Sequence, residues 1–232
     1  MNNNHILITG GSGAIGAALA TSLVSKGAKV TVLDRVAPRA DANVDFIKCD
    51  LAELPSIDEA VQTLADAGKK VTGVVHCAGI SQYRYLAAEP REYWLRVLAV
   101  NLTGPIALTQ SILPLLEDNS SLVFITSGTV YKGIPAHSAY VASKAGLIGF
   151  VRSLSAEIGD RGIRVNSVAP GLIVTPLEPE LALMEPAQIQ SRALKRPQTP
   201  EDTVGAIEFL LSPASQFITG QSLVVDGGSV RH

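Results

Sequence analysis

Seven short runs rich in Val, Ile and Leu restrict the fold more than any other feature of the chain. They are residues 5–9, 29–34, 44–48, 72–76, 121–126, 163–169 and 222–226. Within them apolar and polar residues hardly alternate. A strand of that kind has both faces buried, which implies a parallel sheet covered by helices on each side. Amphipathic stretches fill the gaps, and helices are expected at 14–26, 56–67, 90–100, 104–117, 138–159, 179–195 and 200–211. Pro55-Ser56, and Pro200 before Glu201 and Asp202, read as helix starts. Strands alternating with helices predict an α/β, doubly wound parallel sheet of about seven strands. The 232 residues, 47% hydrophobic and 17% charged, suit one domain with a large core. No internal repeat or linker divides 1–232, and 176–197 is predicted as a small helical lid.

Such sheets bind ligands beyond the carboxyl ends of their strands, so the residues that follow each strand carry the functional signal. After the first run comes TGGSGAIG, Thr9 to Gly16. Glycines there permit a tight turn, and the helix that follows points its N–H groups at a pyrophosphate. Gly10, Ser12, Gly13, Ala14, Ile15 and Gly16 are the candidate contacts of a Rossmann-like dinucleotide site. The second run ends at Asp34, where a carboxylate can bond both ribose hydroxyls of NAD and repel the 2′-phosphate of NADP. Arg35 beside it is a guanidinium able to accept that phosphate. The balance favours NAD over NADP. Asp50 and Leu51 follow the third strand, Asp50 either at the adenine edge or as a cap.

Ser138 to Gly146 reads SAYVASKAG and sets Tyr140 and Lys144 one helical turn apart, on one face and about 6 Å apart in rise. A free phenol ionises near pH 10, and a neighbouring cation favours its charged form. Lys144 is such a cation, and an oxidised nicotinamide ring is another, so Tyr140 is the candidate general acid/base. Ser127, ending its strand, is placed to bond a substrate oxygen.

These motifs together resemble the short-chain dehydrogenase/reductase family in its compact single-domain branch, over nearly the whole chain from His5 to Gly228. TGGSGAIG is similar to the family's TGxxxGxG loop. His76, Cys77, Ala78 and Gly79 stand at its Asn-Asn-Ala-Gly turn. VNLTG places Asn101, ITSG places Ser127, YVASK is the YxxxK motif, and RVNSVAPGLIVT places Pro170, Gly171, Ile173 and Thr175. The resemblance implies an NAD(P)-dependent short-chain alcohol dehydrogenase or carbonyl reductase. In it Asn101 supports a water beside Lys144, Cys77, Ala78 and Gly79 border the cofactor, and the Pro170-Gly171 turn walls the nicotinamide. Thr175 is expected on the carboxamide or the pyrophosphate, or as a helix cap. It also implies a homo-oligomer, a tetramer or dimer, built on helices 104–117 and 138–159 and the last strand. Two departures stand out. Ala14 replaces the middle glycine, so that Gly10, Gly13 and Gly16 also fit the GxxGxxG of sugar-nucleotide epimerases and dehydratases. Cys77 replaces an Asn, which puts the rigidity of its turn in doubt. Enoyl reductases space Tyr and Lys more widely, whereas here positions 146 and 147 are Gly and Leu. A binding-only cofactor sensor is the remaining alternative.

On the substrate side Ser127, Tyr140, Val130 and Leu172 are expected in the pocket, joined by Ser81, Tyr83 and Tyr131 and by Leu177, Leu181, Leu183 and Met184 of the lid. Arg192, Lys195 and Arg196 form a small basic group, either meeting a carboxylate or ending a helix in solvent. A small apolar secondary alcohol or ketone is the expected substrate. Net charge is −2, with no basic field for nucleic acid or a membrane surface. The four histidines lack metal-ligand spacing, so no metal is expected. Cys49 and Cys77 form no CxxC and read as reduced residues of a cytoplasmic protein.

Overall fold

The computed structural model describes residues 4–175 and 179–231. Seven strands form one parallel sheet in the order β3-β2-β1-β4-β5-β6-β7. They are β1 (His5–Thr9), β2 (Lys29–Asp34), β3 (Asp45–Lys48), β4 (Val71–His76), β5 (Leu116–Ile125), β6 (Arg164–Pro170) and β7 (Ser222–Val225). The helices are α1 (Ala14–Ser25), α2 (Leu54–Asp66), α3 (Arg91–Leu98), α4 (Gly104–Ile112), α5 (Thr129–Lys132), α6 (Ser138–Glu157), α7 (Glu185–Ser191) and α8 (Glu201–Leu211).

The strand residues feed two cores by simple alternation. Leu7 of β1 packs with Leu64 of α2, Leu108 of α4 and Leu147 of α6. Its neighbours Ile6 and Ile8 pack on the opposite face with Leu19 and Leu23 of α1 and Ile207 of α8. The chain winds outward from β1 to β3, returns to β4 beside β1, and winds outward again to β7. Strand order therefore reverses between β1 and β4, and a crevice opens at their carboxyl ends.

The structure redraws several boundaries. The expected helix 104–117 stops at Ile112, because Pro114 cannot continue it. The chain then enters β5 at Leu116, with its register to β4 slipping between Val71 and Gly73. Helix 90–100 runs into a π-helical turn at Ala99–Thr103. Of the segment 179–195 only Glu185–Ser191 is α-helical, after a 3-10 stretch at Pro179–Met184. The helical run Arg91–Leu115 is 25 residues long and holds an 18-residue stretch with a mean hydropathy of 1.3, enough by length and composition to cross a membrane. Here its Val97, Leu108 and Ile112 are buried in the protein.

Candidate active site

Backbone contacts at the crevice leave no room for side chains. Gly10 has a φ of +68°, and a Cβ on it would lie 2.6 Å from the backbone of Ala78. A Cβ on Gly16 would lie 2.3 Å from the Gly10 carbonyl oxygen. Gly13 is looser, with only that carbonyl near at 3.3 Å. α1 begins directly after it, so the unpaired N–H groups of the first helical turn border the crevice. Thr9 ties the adjoining turn: its carbonyl accepts the Cys77 N–H at 3.1 Å and its hydroxyl accepts the Ala78 N–H at 3.3 Å. These two bonds tie the turn through its backbone, with no amide side chain at position 77. Burial pushes the Cys77 thiol up to about 12, so it stays protonated.

The Asp34 carboxylate sits under the loop, accepting the Ser12 N–H at 3.0 Å and the Val36 N–H at 3.2 Å. Arg35 turns away to Asp50 at 3.3 Å, and Arg96 of α3 meets the same Asp50 oxygen at 3.3 Å. Asp50 also accepts the Ala52 N–H at 3.0 Å, in the turn that leads into α2. Leu51 is buried, its carbonyl 2.3 Å from where a Cβ on Gly104 would stand.

α6 carries Tyr140 and Lys144 to the same crevice, with the Lys144 Nζ 5.8 Å from the centre of the Tyr140 ring. Lys144 is only 3% exposed and donates to the Ile125 carbonyl at 2.8 Å. Burial holds its ammonium down at about 8, so it is still largely charged at neutral pH. The glycine at 79 makes its space, since a Cβ there would lie 3.2 Å from the Lys144 Nζ. Ser127 accepts from both the Thr129 N–H, at 3.2 Å, and the Thr129 hydroxyl, at 2.9 Å. Its own hydroxyl proton is left for another acceptor.

Asn101 was expected to support a water beside Lys144. It lies within the π-helical turn, fully buried. Its amide accepts the Ile80 N–H at 2.8 Å and donates to the Ile80 carbonyl at 2.9 Å and the Ser143 hydroxyl at 3.2 Å. The side chain clamps the loop after β4 onto α6, and its Oδ1 and the Lys144 Nζ lie 3.4 and 3.2 Å from where a Cβ on Gly79 would stand. His76 braces the same region: its ring stacks 4.3 Å from Phe124, and Nε2 lies 3.1 Å from the Thr109 hydroxyl. That hydroxyl donates to the Pro105 carbonyl at 2.7 Å, so it is the acceptor toward His76. Burial lowers the imidazole to about 3 and keeps it neutral.

A cavity of about 590 Å³ joins these parts. Its wall includes Gly10, Gly13, Ala14, Ile15 and Gly16 from the loop, and Cys77 and Gly79 from the turn after β4. Ser127, Tyr140 and Lys144 also line it, as do Pro170, Gly171, Leu172, Ile173 and Thr175. Ser12, Asp34, Arg35, Asp50, Leu51, Ala78 and Asn101 lie outside that wall. Val130 is a correction. It and Tyr131 belong to the short helix α5, which the sequence did not suggest, and that helix turns Thr129 and Lys132 to the cavity instead. Of the expected lid residues Leu181 and Met184 line the cavity, Leu183 is 87% exposed, and Leu177 falls outside the described residues. Ser81 lines it and Tyr83 does not. The wall also holds residues that the motifs did not mark: Tyr93, Arg96, Thr129, Lys132, His137, Gln188 and Asp226. Asp226 ends the run 222–226 expected as the last strand.

The basic group of the lid divides. Arg196 pairs with Asp202 through two bonds of 2.6 Å, and Lys195 donates to the Gln190 carbonyl at 2.5 Å. Arg192 is buried and donates to the carbonyls of Leu172 at 2.7 Å and Arg196 at 2.8 Å. Gly171 joins this brace: its N–H reaches the Gln198 side-chain oxygen and the Val225 carbonyl, each at 3.1 Å.

The sequence model of a family described as enoyl-(acyl carrier protein) reductase matches residues 11–230. A 3-oxoacyl-[acyl-carrier-protein] reductase of Synechocystis sp. is 35% identical over 97% of this chain and 96% of its own length. A 2-(S)-hydroxypropyl-CoM dehydrogenase of Xanthobacter autotrophicus is 30% identical over 98% of this chain and 97% of its own. A short chain dehydrogenase from Leptospira borgpetersenii, solved with bound NAD+, superposes with a TM-score of 0.91 at 29% identity, covering 99% of this chain and 93% of that one.

Proposed function

The chain belongs to the short-chain dehydrogenase/reductase family of oxidoreductases, and from that premise we propose that it interconverts a small secondary alcohol and its ketone with NAD as hydride carrier. The observation that carries the reading is the meeting of Tyr140, Lys144 and Ser127 with the glycine loop around one cavity.

The cradle suits a dinucleotide. Gly10 and Gly16 have no room for a side chain, Gly13 is open on the cavity side, and the N-terminus of α1 faces the same space. A bound nicotinamide dinucleotide would supply the hydride chemistry. The Tyr140 hydroxyl delivers a proton to the substrate oxygen in reduction and takes it back in oxidation. Ser127, with its oxygen already accepting from Thr129, donates its proton to that same oxygen. Lys144 keeps a positive field beside Tyr140, and Asn101 fixes the loop against α6. Asp34 beneath the loop, and Arg35 held off by Asp50, support NAD over NADP. The single helical turn between Tyr140 and Lys144 supports carbonyl chemistry over the enoyl reduction that the matched family description names. A second reading, reduction of a 3-oxoacyl group, is favoured by the Synechocystis relative. A homo-oligomer is part of the proposal, supported by Phe209, Phe217 and Leu223, exposed in and around α8 and β7.

The test is a panel of secondary alcohols and ketones with each cofactor, following the absorbance of reduced nicotinamide. Turnover with NAD is expected, and Tyr140→Phe should lower it by about a hundredfold or more while cofactor still binds. Cofactor binding without turnover on any substrate would leave the binding-only sensor instead.

A further inference from the structure

Three cations line the cavity: Arg96, Lys132 and Lys144. Lys144 is buried beside Tyr140, and Arg96 is engaged with Asp50 at the glycine-loop end. Lys132 has neither commitment. It ends α5, the short helix that follows Ser127 and Gly128, and lines the cavity with both of them. It is exposed at the rim of the cavity and donates to the Ser229 hydroxyl. Among the described residues it forms no ion pair.

Two charged groups act on it, Asp226 and Arg192. The Asp226 carboxylate is already an acceptor for the Gly228 and Ser229 N–H groups at 3.0 Å and the Val230 N–H at 2.8 Å. Arg192 bonds only main-chain carbonyls, so its charge is not cancelled by contact. Among the described residues two cations, Lys132 and Arg192, stand against one carboxylate, Asp226, which leaves this corner a positive excess. Burial lowers the proton affinity of Lys132, and Asp226 offsets part of that effect. The corner is also built from several elements: Ser229 lies 2.5 Å from the Ser191 hydroxyl of α7, which bonds the Gln188 carbonyl at 2.8 Å. Gln188 and Thr129 line the same cavity, adding an amide and a hydroxyl.

Resting on the hydride-transfer reading above, we propose that Lys132 receives a carboxylate of the substrate, making this an enzyme of hydroxy acids and their oxo acids. A net excess of one positive charge matches a singly charged, planar group, whereas a phosphate dianion would exceed it. The apolar alcohol expected from the sequence is replaced by one with an anionic end, its carbon chain against Leu181 and Met184.

The experiment uses short-chain 2-oxo and 3-oxo acids beside their methyl esters. It measures kcat and KM for each, and also the calorimetric affinity of each hydroxy acid and its ester for the protein with NAD present. The wild type should favour acid over ester by about tenfold or more. Lys132→Met should collapse that ratio toward one, mainly by raising KM for the acid, and Lys132→Arg should restore it. Esters handled as well as acids by the wild type, or an acid preference that survives Lys132→Met, would overturn the proposal. The two readings separate cleanly. Acid binding that depends on Lys132, without turnover, supports anion recognition and removes the hydride-transfer reading. Turnover that ignores the carboxylate does the reverse.

Discussion

Two long cationic side chains are buried, Lys144 in the wall of the cavity and Arg192 behind its lid, and they do different things. Lys144 is 3% exposed and Arg192 is 2% exposed, and both bond main-chain carbonyl oxygens. Lys144 stands in the glycine-loop wall, where a single carbonyl receives it and its ammonium is held down at about 8. Arg192 stands behind the lid, outside the cavity wall, where its fork spans the Leu172 and Arg196 carbonyls and its Nε has no partner among the described residues. A strained charge that can titrate is suited to chemistry. A planar fork that bridges two loops is suited to holding shape. The glycine-loop wall is fixed by backbone against backbone, and the lid wall by side chains reaching across to backbone.

Lys144→Met tests the first half of that contrast and carries the largest expected effect. Turnover should fall by about a hundredfold to a thousandfold, since the positive field beside Tyr140 goes. Stability should not fall with it. The folded state holds Lys144 at about 8, below its ordinary 10.5, so below pH 8 the wild type bears the cost of a buried charge. That cost is about 3 kcal/mol at most, less the hydrogen bond to Ile125. The wild type recovers stability as pH rises through 8 toward 10.5, because the unfolded chain there binds the extra proton. Melting curves of the variant should therefore match or exceed the wild type at pH 7, with the margin closing by about pH 10. A variant clearly less stable at pH 7 would make Lys144 an architectural residue like Arg192.

Arg192→Met should show the opposite balance. Two carbonyls lose their donor, at about 1–3 kcal/mol for each left buried, and part is returned by removing a buried charge. A net loss of about 1–3 kcal/mol is expected, with KM raised about tenfold, kcat changed less, and faster proteolytic cutting between Leu172 and Arg192. Unchanged proteolysis would show that the lid is held by other contacts, such as Gln198 to Gly171.

The same division explains what could be read from the sequence. The sheet, the glycine loop and the Tyr140–Lys144 pair follow from local rules: apolar runs, tight turns, helical spacing. Each is settled by residues adjacent in the chain. Lys132, Gln188 and Asp226 meet at the cavity only because the segments after β5, β6 and β7 converge, and no spacing within one segment encodes that meeting. α5 was missed for a related reason. Four residues are too few for a periodic pattern, and they alone decide that Lys132 faces the cavity and Val130 does not. Asn101 was found by its motif, but its partners Ile80 and Ser143 come from two other segments.

Asp34→Ala carries the smallest expected effect and sharpens the comparison, because its consequence should stay within the glycine-loop wall. The carboxylate supports the Ser12 and Val36 N–H groups at the loop's edge. Without it, ribose hydroxyls lose an acceptor and a 2′-phosphate loses a repelling charge. The NAD-to-NADP ratio of kcat/KM should drop by about tenfold. It should not invert, because Arg35 remains tied to Asp50 and is not released toward a phosphate. Adding Asp50→Asn to Asp34→Ala frees Arg35 and should push the ratio further toward NADP. An unchanged ratio in Asp34→Ala would mean that the ribose is read elsewhere, and a full inversion in that single variant would mean that Asp50 does not restrain Arg35. Lid proteolysis should stay at its wild-type rate in both variants, since no bond of Arg192 or Gln198 passes through Asp34 or Asp50.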